Sequence, residues 1–464
     1  VRSGGKKVMV NFLPGGYDTR YETANFAADS SNLAQGNAVY MVRVGEEKED
    51  STTKKVTIDT TSDKGKLLWW ASYAASKNGT TTATRPTSVT LQKTEHSDLT
   101  NSIVTEIRTV DRNYDGYTDF IYFADLGGRV WRADINNNKD TDNFRVDRVV
   151  KLLDVSDQKS GSDVAPRFYE RPLFTVTDEV VEGSPIAQIT VGTGNRSLPV
   201  SDKRDTNMPD AIYSFMDREA GKKDLFCYKS DAECRGTADS DPYLSQALVT
   251  KDLTVANLAK VTFTASDATI KTNMMKGVTD TTFKHGWYYP FEQWYKVNGT
   301  GASAVMSNVL ETDSAKYQGM KMLNEPDAQN GLLFVSVYNP NVNLIAEGCS
   351  ATVQGATQRM LMCLPFGNCG ASGYNTTTGA DGKPSTDYTR RSAALAGAGI
   401  VDNIITQSKP DVGGSFFGVL QLSCTGTSCN KSEFNKPSYI NINTINSDGV
   451  NRDKVMNPRE WWEN

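Results

Sequence analysis

Asp119-Phe-Ile-Tyr-Phe-Ala-Asp125-Leu-Gly127-Gly128-Arg129-Val-Trp131-Arg-Ala-Asp-Ile135 is two apolar runs joined by a tight turn. Asp119 to Asp125 predicts one strand and Arg129 to Ile135 the returning strand, while Gly127-Gly128 supplies the backbone freedom of a short hairpin turn. Both runs are apolar enough to be buried.

Looser versions of this unit occur on either side. Asn37 to Val44 is followed, after a polar insertion, by Gly65-Lys-Leu-Leu-Trp69-Trp70, again a strand leading through a turn to a Trp-bearing strand. Ala187 to Gly194 with Asp210 to Met216, and Gly331 to Tyr338 with Gln358 to Leu364, suggest further pairs. Amphipathic helical periodicity is scarce. Recurring sheets with Gly turns and aromatic closing strands suit radial repetition, because each sheet then buries its faces against its neighbours. The expected fold is therefore all-β, a β-propeller with long loop insertions, and an unrelated β-sandwich is the alternative. Ser51 to Thr61, Thr80 to Thr90, Asn375 to Thr389 and Gly426 to Asn435 are polar and read as surface loops. The Ala-rich piece Ser392 to Ala398 has the composition of a short helix and reads as a loop-capping segment rather than a partner-binding helix.

With 38% hydrophobic and 23% charged residues among 464, the chain can bury a large core and is not a disordered polymer. A net charge of -5, with no block of five like charges, argues against a general nucleic-acid binder. No run of eighteen apolar residues is present, so no membrane insertion is expected. The start at Val1, without Met or a signal peptide, suggests a portion of something longer. Cys227 with Cys234, Cys363 with Cys369, and Cys424 with Cys429 are spaced for short disulfide loops, and Cys349 is a further partner for Cys363 or Cys369. Zinc is the competing use, but Cys-x-x-Cys pairs are absent and only His96 and His285 occur. Disulfides imply an oxidising compartment.

Immediately before the hairpin stands Asp111-Arg-Asn113-Tyr-Asp115-Gly116-Tyr117-Thr-Asp119. Calcium takes six to eight oxygen ligands, and alternating acidic or amide residues on a tight loop deliver them from one side of the backbone. Asp111, Asn113 and Asp115 give the alternation, Gly116 fills the sixth position where the EF-hand pattern turns sharply, and Tyr117 offers a main-chain carbonyl at the seventh. Asp119 fills the ninth. The bidentate Glu usual at the twelfth is replaced by Tyr122, so Asp119 or water has to compensate. The bland alternative is an Asx-rich turn that merely starts a strand. Asp134 to Asp142 has a similar alternation without the turning Gly and reads as a loop, with metal binding as the alternative, and Asn446-Ser-Asp448-Gly449 reads as an ordinary turn.

The calcium-type loop running straight into Phe120 to Asp134 resembles the C-terminal propeller of PilC/PilY-type type IV pilus tip adhesins. Gly15-Gly-Tyr-Asp-Thr-Arg-Tyr21, Gly36 to Val42 leading to Leu67 to Ser72, Val191-Gly-Thr-Gly-Asn195, Gly286-Trp-Tyr288 and Gly331 to Tyr338 extend the likeness. The resemblance implies a modified seven-bladed, quinoprotein-like propeller forming a single domain over residues 1–464, the C-terminal part of a longer secreted protein. It places calcium ligands on Asp111, Asn113, Asp115, Asp119 and the carbonyl of Tyr117. It further implies a non-enzymatic protein at the extracellular pilus tip, reached through the periplasm. There it would meet minor pilins and a host-cell or abiotic surface receptor, with calcium affecting extension and retraction. No Arg-Gly-Asp tripeptide occurs, so the likeness does not extend to integrin recognition.

Another class of function is a quinoprotein dehydrogenase, which binds pyrroloquinoline quinone beside calcium. Gly65 to Trp69 and Gly127 to Trp131 invite it, but the adjacent cysteines common in those enzymes are absent. The usual serine hydrolase, zinc protease and P-loop motifs are absent too. His96 and His285 read as surface or packing residues. A role in DNA uptake would need local patches such as Lys54-Lys55, Lys222-Lys223 or Arg390-Arg391, each of which also reads as a solvated loop. Trp461-Trp462 would dock a minor pilin or close the last sheet.

Overall fold

The computed structural model describes residues 1–23, 26–60, 63–73, 91–137, 142–159, 164–181, 184–200, 209–222, 225, 248–261, 268–292, 294–298, 305–311, 319–329, 331–341, 355–367, 393–398, 405–407, 416–419 and 438–441. Its strands fall into six sheets that follow the chain in order. The first sheet has β1 (Arg2–Ser3), β2 (Lys6–Pro14), β3 (Ala38–Glu49), β4 (Val56–Asp59), β5 (Leu67–Ser72) and β6 (Gln92–Glu95). Its order is β1-β2-β3-β5-β6, with β4 paired to β3.

The second sheet is an antiparallel meander of β7 (Arg108–Val110), β8 (Phe120–Ala124), β9 (Arg129–Asn136) and β10 (Arg145–Asp154). The third has β11 (Leu173–Val181), β12 (Ser184–Gly192), β13 (Ala211–Met216), β14 (Leu258–Lys260) and β15 (Gly286–Pro290), with β14 parallel to β15. A two-stranded fourth sheet pairs β16 (Trp294–Asn298) with β17 (Val305–Glu311). The fifth is built from β18 (Lys321–Met322), β19 (Asp327–Gln329), β20 (Leu332–Asn339), β21 (Ala356–Cys363) and β22 (Ala393–Ala398). The sixth has β23 (Ile405–Gln407), β24 (Phe416–Val419) and β25 (Ser438–Asn441). A short helix, Ala268–Met274, precedes β15.

The expected hairpin is present, with Phe120 opposite Asp134 and Ala124 opposite Val130. The other pairs also form: Ala38 opposite Ser72, Val191 opposite Tyr213, and Leu333 opposite Met362. In β8 every residue is buried, which alternation alone does not demand. Phe120, Tyr122 and Ala124 enter one core, together with Ile189 and Tyr213 of the third sheet. Ile121 and Phe123 enter the core on the other side, with Met41 and Trp69 of the first sheet. A third core joins Ile212, Trp287 and Tyr289 of the third sheet to Leu333, Val335 and Met362 of the fifth. Four sheets are therefore stacked face to face, and the second and third each have apolar layers on both sides. This nearly all-β stack is the part of the expected architecture that the described residues show, and seven blades closed in a ring go beyond it.

Two expectations are corrected. Within Ser51 to Thr61, Val56–Asp59 is a strand and not a loop: Val56 pairs with Glu49 and Asp59 with Glu46, so backbone bonding extends the hairpin into solvent. Ala393–Ala398 is a strand rather than a helix, because β21 offers it a ladder from Met360 to Ala356. Six residues with Gly397 among them make too short a helix to compete with that ladder. The expected loops Thr80 to Thr90, Asn375 to Thr389 and Gly426 to Asn435 lie outside the described residues, as does the pair Trp461-Trp462. Among the described residues no helix is long and apolar enough to cross a membrane.

Candidate metal centre

The loop Asp111 to Asp119 connects the short edge strand β7 to the buried strand β8. Its exit is fixed by backbone bonds: Asp119 N–H donates to the Val110 carbonyl at 2.8 Å, and Ile135 N–H donates to the Asp119 carbonyl at 2.8 Å. Within the loop the three carboxylates and the Asn113 amide each accept from a nearby backbone N–H. Asp111 Oδ2 accepts from Gly116 at 2.8 Å, Asn113 Oδ1 from Asp115 at 3.2 Å, and Asp115 Oδ1 from Tyr117 at 2.8 Å. Asp119 Oδ2 accepts from Arg112 at 2.8 Å. Tyr114 and Gly116 take positive φ values of 58° and 81°, which reverse the chain tightly enough for these bonds to form. A Cβ at Gly116 would lie 2.1 Å from Lys7 Nζ, the flexible end of a side chain that can move aside, so the positive φ and not packing is what calls for glycine here.

The five residues expected to hold calcium thus share one tight loop, but the side chains of Asp111, Asn113, Asp115 and Asp119 are turned towards the loop's own amides. Among the described residues, no three His, Cys, Asp or Glu side chains converge in a way that would hold a metal ion. Two observations bear on whether a cation fits. Asp111 Oδ1 is buried and has no hydrogen-bond partner. Asp119 is only 6% exposed, and burial pushes its carboxyl up to about 7; Arg112 opposes this, and the charges of Asp115 and Asp111 add to it. Burial likewise raises Asp111. Three carboxylates, an amide oxygen and a carbonyl are hard donors, the set that suits calcium, and the unbonded Asp111 oxygen is a donor to spare. Tyr117 lends its ring to neighbouring cations, with the Arg2 guanidinium at 4.9 Å and Lys7 Nζ at 5.5 Å from its centroid.

Sequence reasoning missed what anchors the loop. Arg112 is 2% exposed, and its Nη1 donates to the Lys222 carbonyl of the third sheet's turn at 3.0 Å. Nearby, Arg132 is wholly buried and donates to Asp134 Oδ1 at 2.6 Å and to Asp217 Oδ2 at 2.6 Å. Tyr122 donates to the same Asp217 oxygen at 2.9 Å, and Arg148 donates to Asp134 at 2.7 Å. Burial pushes Asp134 up, but Arg132 and Arg148 outweigh it and leave that carboxyl below its ordinary range. Asp217 stays raised by burial, with Arg132 opposing. The only local signal was the polar Arg132 and Asp134 within an otherwise apolar strand.

Several other sequence candidates have structural places. Asp134 and Asn136 of the second acidic stretch belong to β9, where Asn136 donates to Asp147 at 3.0 Å; residues 138–141 and the Asn446 turn lie outside the described residues. His96 packs edge-on against Trp131 at 4.9 Å and His285 against Phe283 at 4.6 Å. Burial lowers both, His285 to about 4. The indoles that suggested a quinoprotein are core groups: Trp69 Nε1 donates to Thr94 at 3.0 Å and Trp131 Nε1 to Asp125 at 2.9 Å. Lys54 pairs with Glu49 at 3.2 Å, whereas Lys223 and Arg390-Arg391 lie outside the described residues. Cys363 is disulfide-bonded, and all other cysteines lie outside the described residues, so the expected pairings do too.

No family model matches the chain, and no curated protein matches it. Among solved structures it is similar to the Pseudomonas aeruginosa PilY1 C-terminal domain, at 14% identity and a TM-score of 0.41, over 84% of this chain. The chain spans 65% of the length of that structure. A likeness of this strength decides nothing about partners or activity.

Proposed function

We propose that this chain is a calcium-binding, non-enzymatic propeller of the type IV pilus tip. Exposed at the cell surface, it would sit on minor pilins, promote pilus assembly and adhere to host cells or abiotic surfaces. The observation that carries the calcium part is the Asp111–Asp119 loop, which crowds three carboxylates, leaves one buried carboxylate oxygen unbonded, and opens directly into a hairpin buried on both faces. Asp111, Asn113, Asp115, Asp119 and the Tyr117 carbonyl would hold the ion. Bound calcium would offset the mutual repulsion and burial of those carboxylates. The backbone bonds from Asp119 to Val110 and Ile135 then tie the loop's order to the start of the central hairpin. The pilus assignment rests on the family resemblance of the sequence, and the stack of sheets buried on both faces supports its propeller.

Titration calorimetry tests the metal. Wild-type protein should bind calcium, and Asp119→Ala should abolish binding, because it removes the one side chain placed to replace the missing twelfth-position Glu. Unchanged affinity in that variant would refute the assignment. The cellular part fails if a strain lacking the protein makes normal numbers of retractable pili and adheres normally.

A further inference from the structure

Between the turn that carries Asp217 and the start of β12 lies a cavity of about 270 Å³, which the proposed function leaves unused. Its apolar wall is Val181 of β11, Ile186 of β12, Met216 of β13 and Val249. Val181, Ile186 and Met216 belong to the core shared with the fifth sheet, so this wall is fixed in place. Asp217, Arg218 and Lys222 line the cavity from the turn after β13. Backbone bonds hold that turn: Asp217 N–H donates to the Ala187 carbonyl at 2.8 Å, Arg218 N–H to Thr250 Oγ1 at 2.9 Å, and Lys222 N–H to the Glu219 carbonyl at 3.0 Å. Arg112 adds its bond to the Lys222 carbonyl at 3.0 Å. The cavity is therefore formed before any ligand arrives, which spares a ligand the cost of ordering it.

We propose that this cavity binds a small apolar carboxylate, a leucine-sized tail ended by a carboxyl group, supplied either as a free acid or as the last residue of a peptide chain. The charges of the lining select an anion. Asp217 is buried, and Arg132 and Tyr122 already hold its carboxylate, so the lining sets two cations against one carboxylate that is neutralised from behind. The Arg218 guanidinium is steadied by the Phe283 ring, 4.9 Å from its centroid. Guanidinium and ammonium groups bind a carboxylate through charge-assisted hydrogen bonds, the strong kind. The wall selects the tail. A bare inorganic anion would leave Ile186, Met216 and Val249 without contact, whereas a neutral apolar group would cover the two cations and pair with neither. The volume of about 270 Å³ sets the size, since it falls below the roughly 300–1,000 Å³ of sites for drug-sized ligands and suits one side chain with its carboxyl group. None of the lining residues is a calcium candidate, so the site stands apart from the proposed metal.

Methyl NMR on the full chain tests this. N-acetyl-leucine should shift the Ile186, Met216 and Val249 methyl signals with about millimolar affinity, the scale for a ligand of this size. The methyls of Met41 and Ile121, in the core between the first and second sheets, should not move. N-acetyl-leucinamide, which lacks the charge, should not bind. Lys222→Gln keeps the carbonyl that holds Arg112, and should weaken N-acetyl-leucine about tenfold while the Met41 signal stays at its wild-type position. Isocaproate is titrated in parallel: tighter binding of N-acetyl-leucine supports a chain end as the source, and tighter binding of isocaproate supports a free acid. Equal shifts from the leucinamide or from inorganic phosphate, unchanged affinity in Lys222→Gln, or no saturable shift at all would each overturn the proposal. Calcium calorimetry fails or succeeds independently of these outcomes.

Discussion

The first and second sheets are built from similar strands and differ in what lies beyond them. In the second, the neighbours Tyr122 and Phe123 point to opposite faces and both are fully buried. In the first, Trp69 is fully buried whereas Trp70, one residue on, is only half-buried. Alternation decides which way a side chain points, but only a neighbouring sheet decides whether it is buried. The chemistry each sheet tolerates follows from this. The open face accommodates Lys93 over an indole, with its charge paired to Glu95 at the half-exposed edge. The enclosed sheet contains Arg132 only because Asp134 and Asp217 meet its guanidinium.

The largest expected effect is therefore in the enclosed sheet. Arg132→Met leaves Asp217 without the Arg132 guanidinium and takes one of its cations from Asp134, in a seam that water does not reach. Breaking a buried pair from one side costs about 3–5 kcal/mol. Urea denaturation at neutral pH should show a loss of that order, and combining the change with Asp217→Asn should recover part of it. A loss below about 1 kcal/mol would mean that the carboxylates are solvated after all, and the contrast between the sheets would collapse.

How much of this contrast was legible beforehand differs from strand to strand. The hairpin Phe120–Ala124 to Arg129–Asn136 could be read because Gly127-Gly128 punctuates two dense apolar runs, a purely local signal. β2 could not, since Met9, Asn11 and Leu13 mix polar and apolar residues along its exposed side and Pro14 ends it. Val56–Asp59 looked like a loop because nothing in it is buried by a core; only its ladder with β3 makes it a strand. The spacing of Asp111, Asn113, Asp115 and Asp119 located the loop, but not the turning of its carboxylates onto Gly116, Tyr117 and Arg112 amides, which depends on backbone angles. The bond from Arg132 to Asp217 spans 85 residues, and no local pattern encodes it.

A smaller effect separates the two sheets by pH. At the turn of the second sheet, Asp125 accepts from Gly127 and Arg129 amides and from the Trp131 indole. Burial pushes this carboxyl up to about 6, against the opposing pull of Arg129. An unfolded Asp titrates near about 3.9, so the folded chain holds the proton more tightly. Its contribution is full below about 4 and is lost as pH rises through about 6. Asp18, in the connection after β2 of the first sheet, behaves oppositely: its bond with Arg20 outweighs burial and lowers it to about 2. That contribution is present above about 4 and is lost as pH falls through about 2. The stability difference between wild type and Asp125→Asn should therefore shrink as pH rises from 4 to 6. The difference for Asp18→Asn should shrink as pH falls below 4. Parallel slopes would contradict the assignment of a protected turn to one sheet and an ion-paired turn to the other.

The smallest effect belongs to the extension of the first sheet beyond any core. Lys54 and Glu49 form a pair at 3.2 Å with side chains 74% and 54% exposed. Water and salt screen such a pair, and ordering two long side chains offsets the attraction that remains. Lys54→Ala should leave the denaturation midpoint unchanged at low and at high salt. Gly45, at the base of the same extension, should not be neutral, because a Cβ there would lie 2.6 Å from the Asp59 carbonyl oxygen and from Ile58 Cγ2. Gly45→Ala should part β4 from β3 and speed hydrogen exchange of the Val56–Asp59 amides, while those of β8 stay protected. If β8 exchanged faster as well, the extension would be part of the cooperative stack, and the first sheet would be less separate from the second than its exposed outer face suggests.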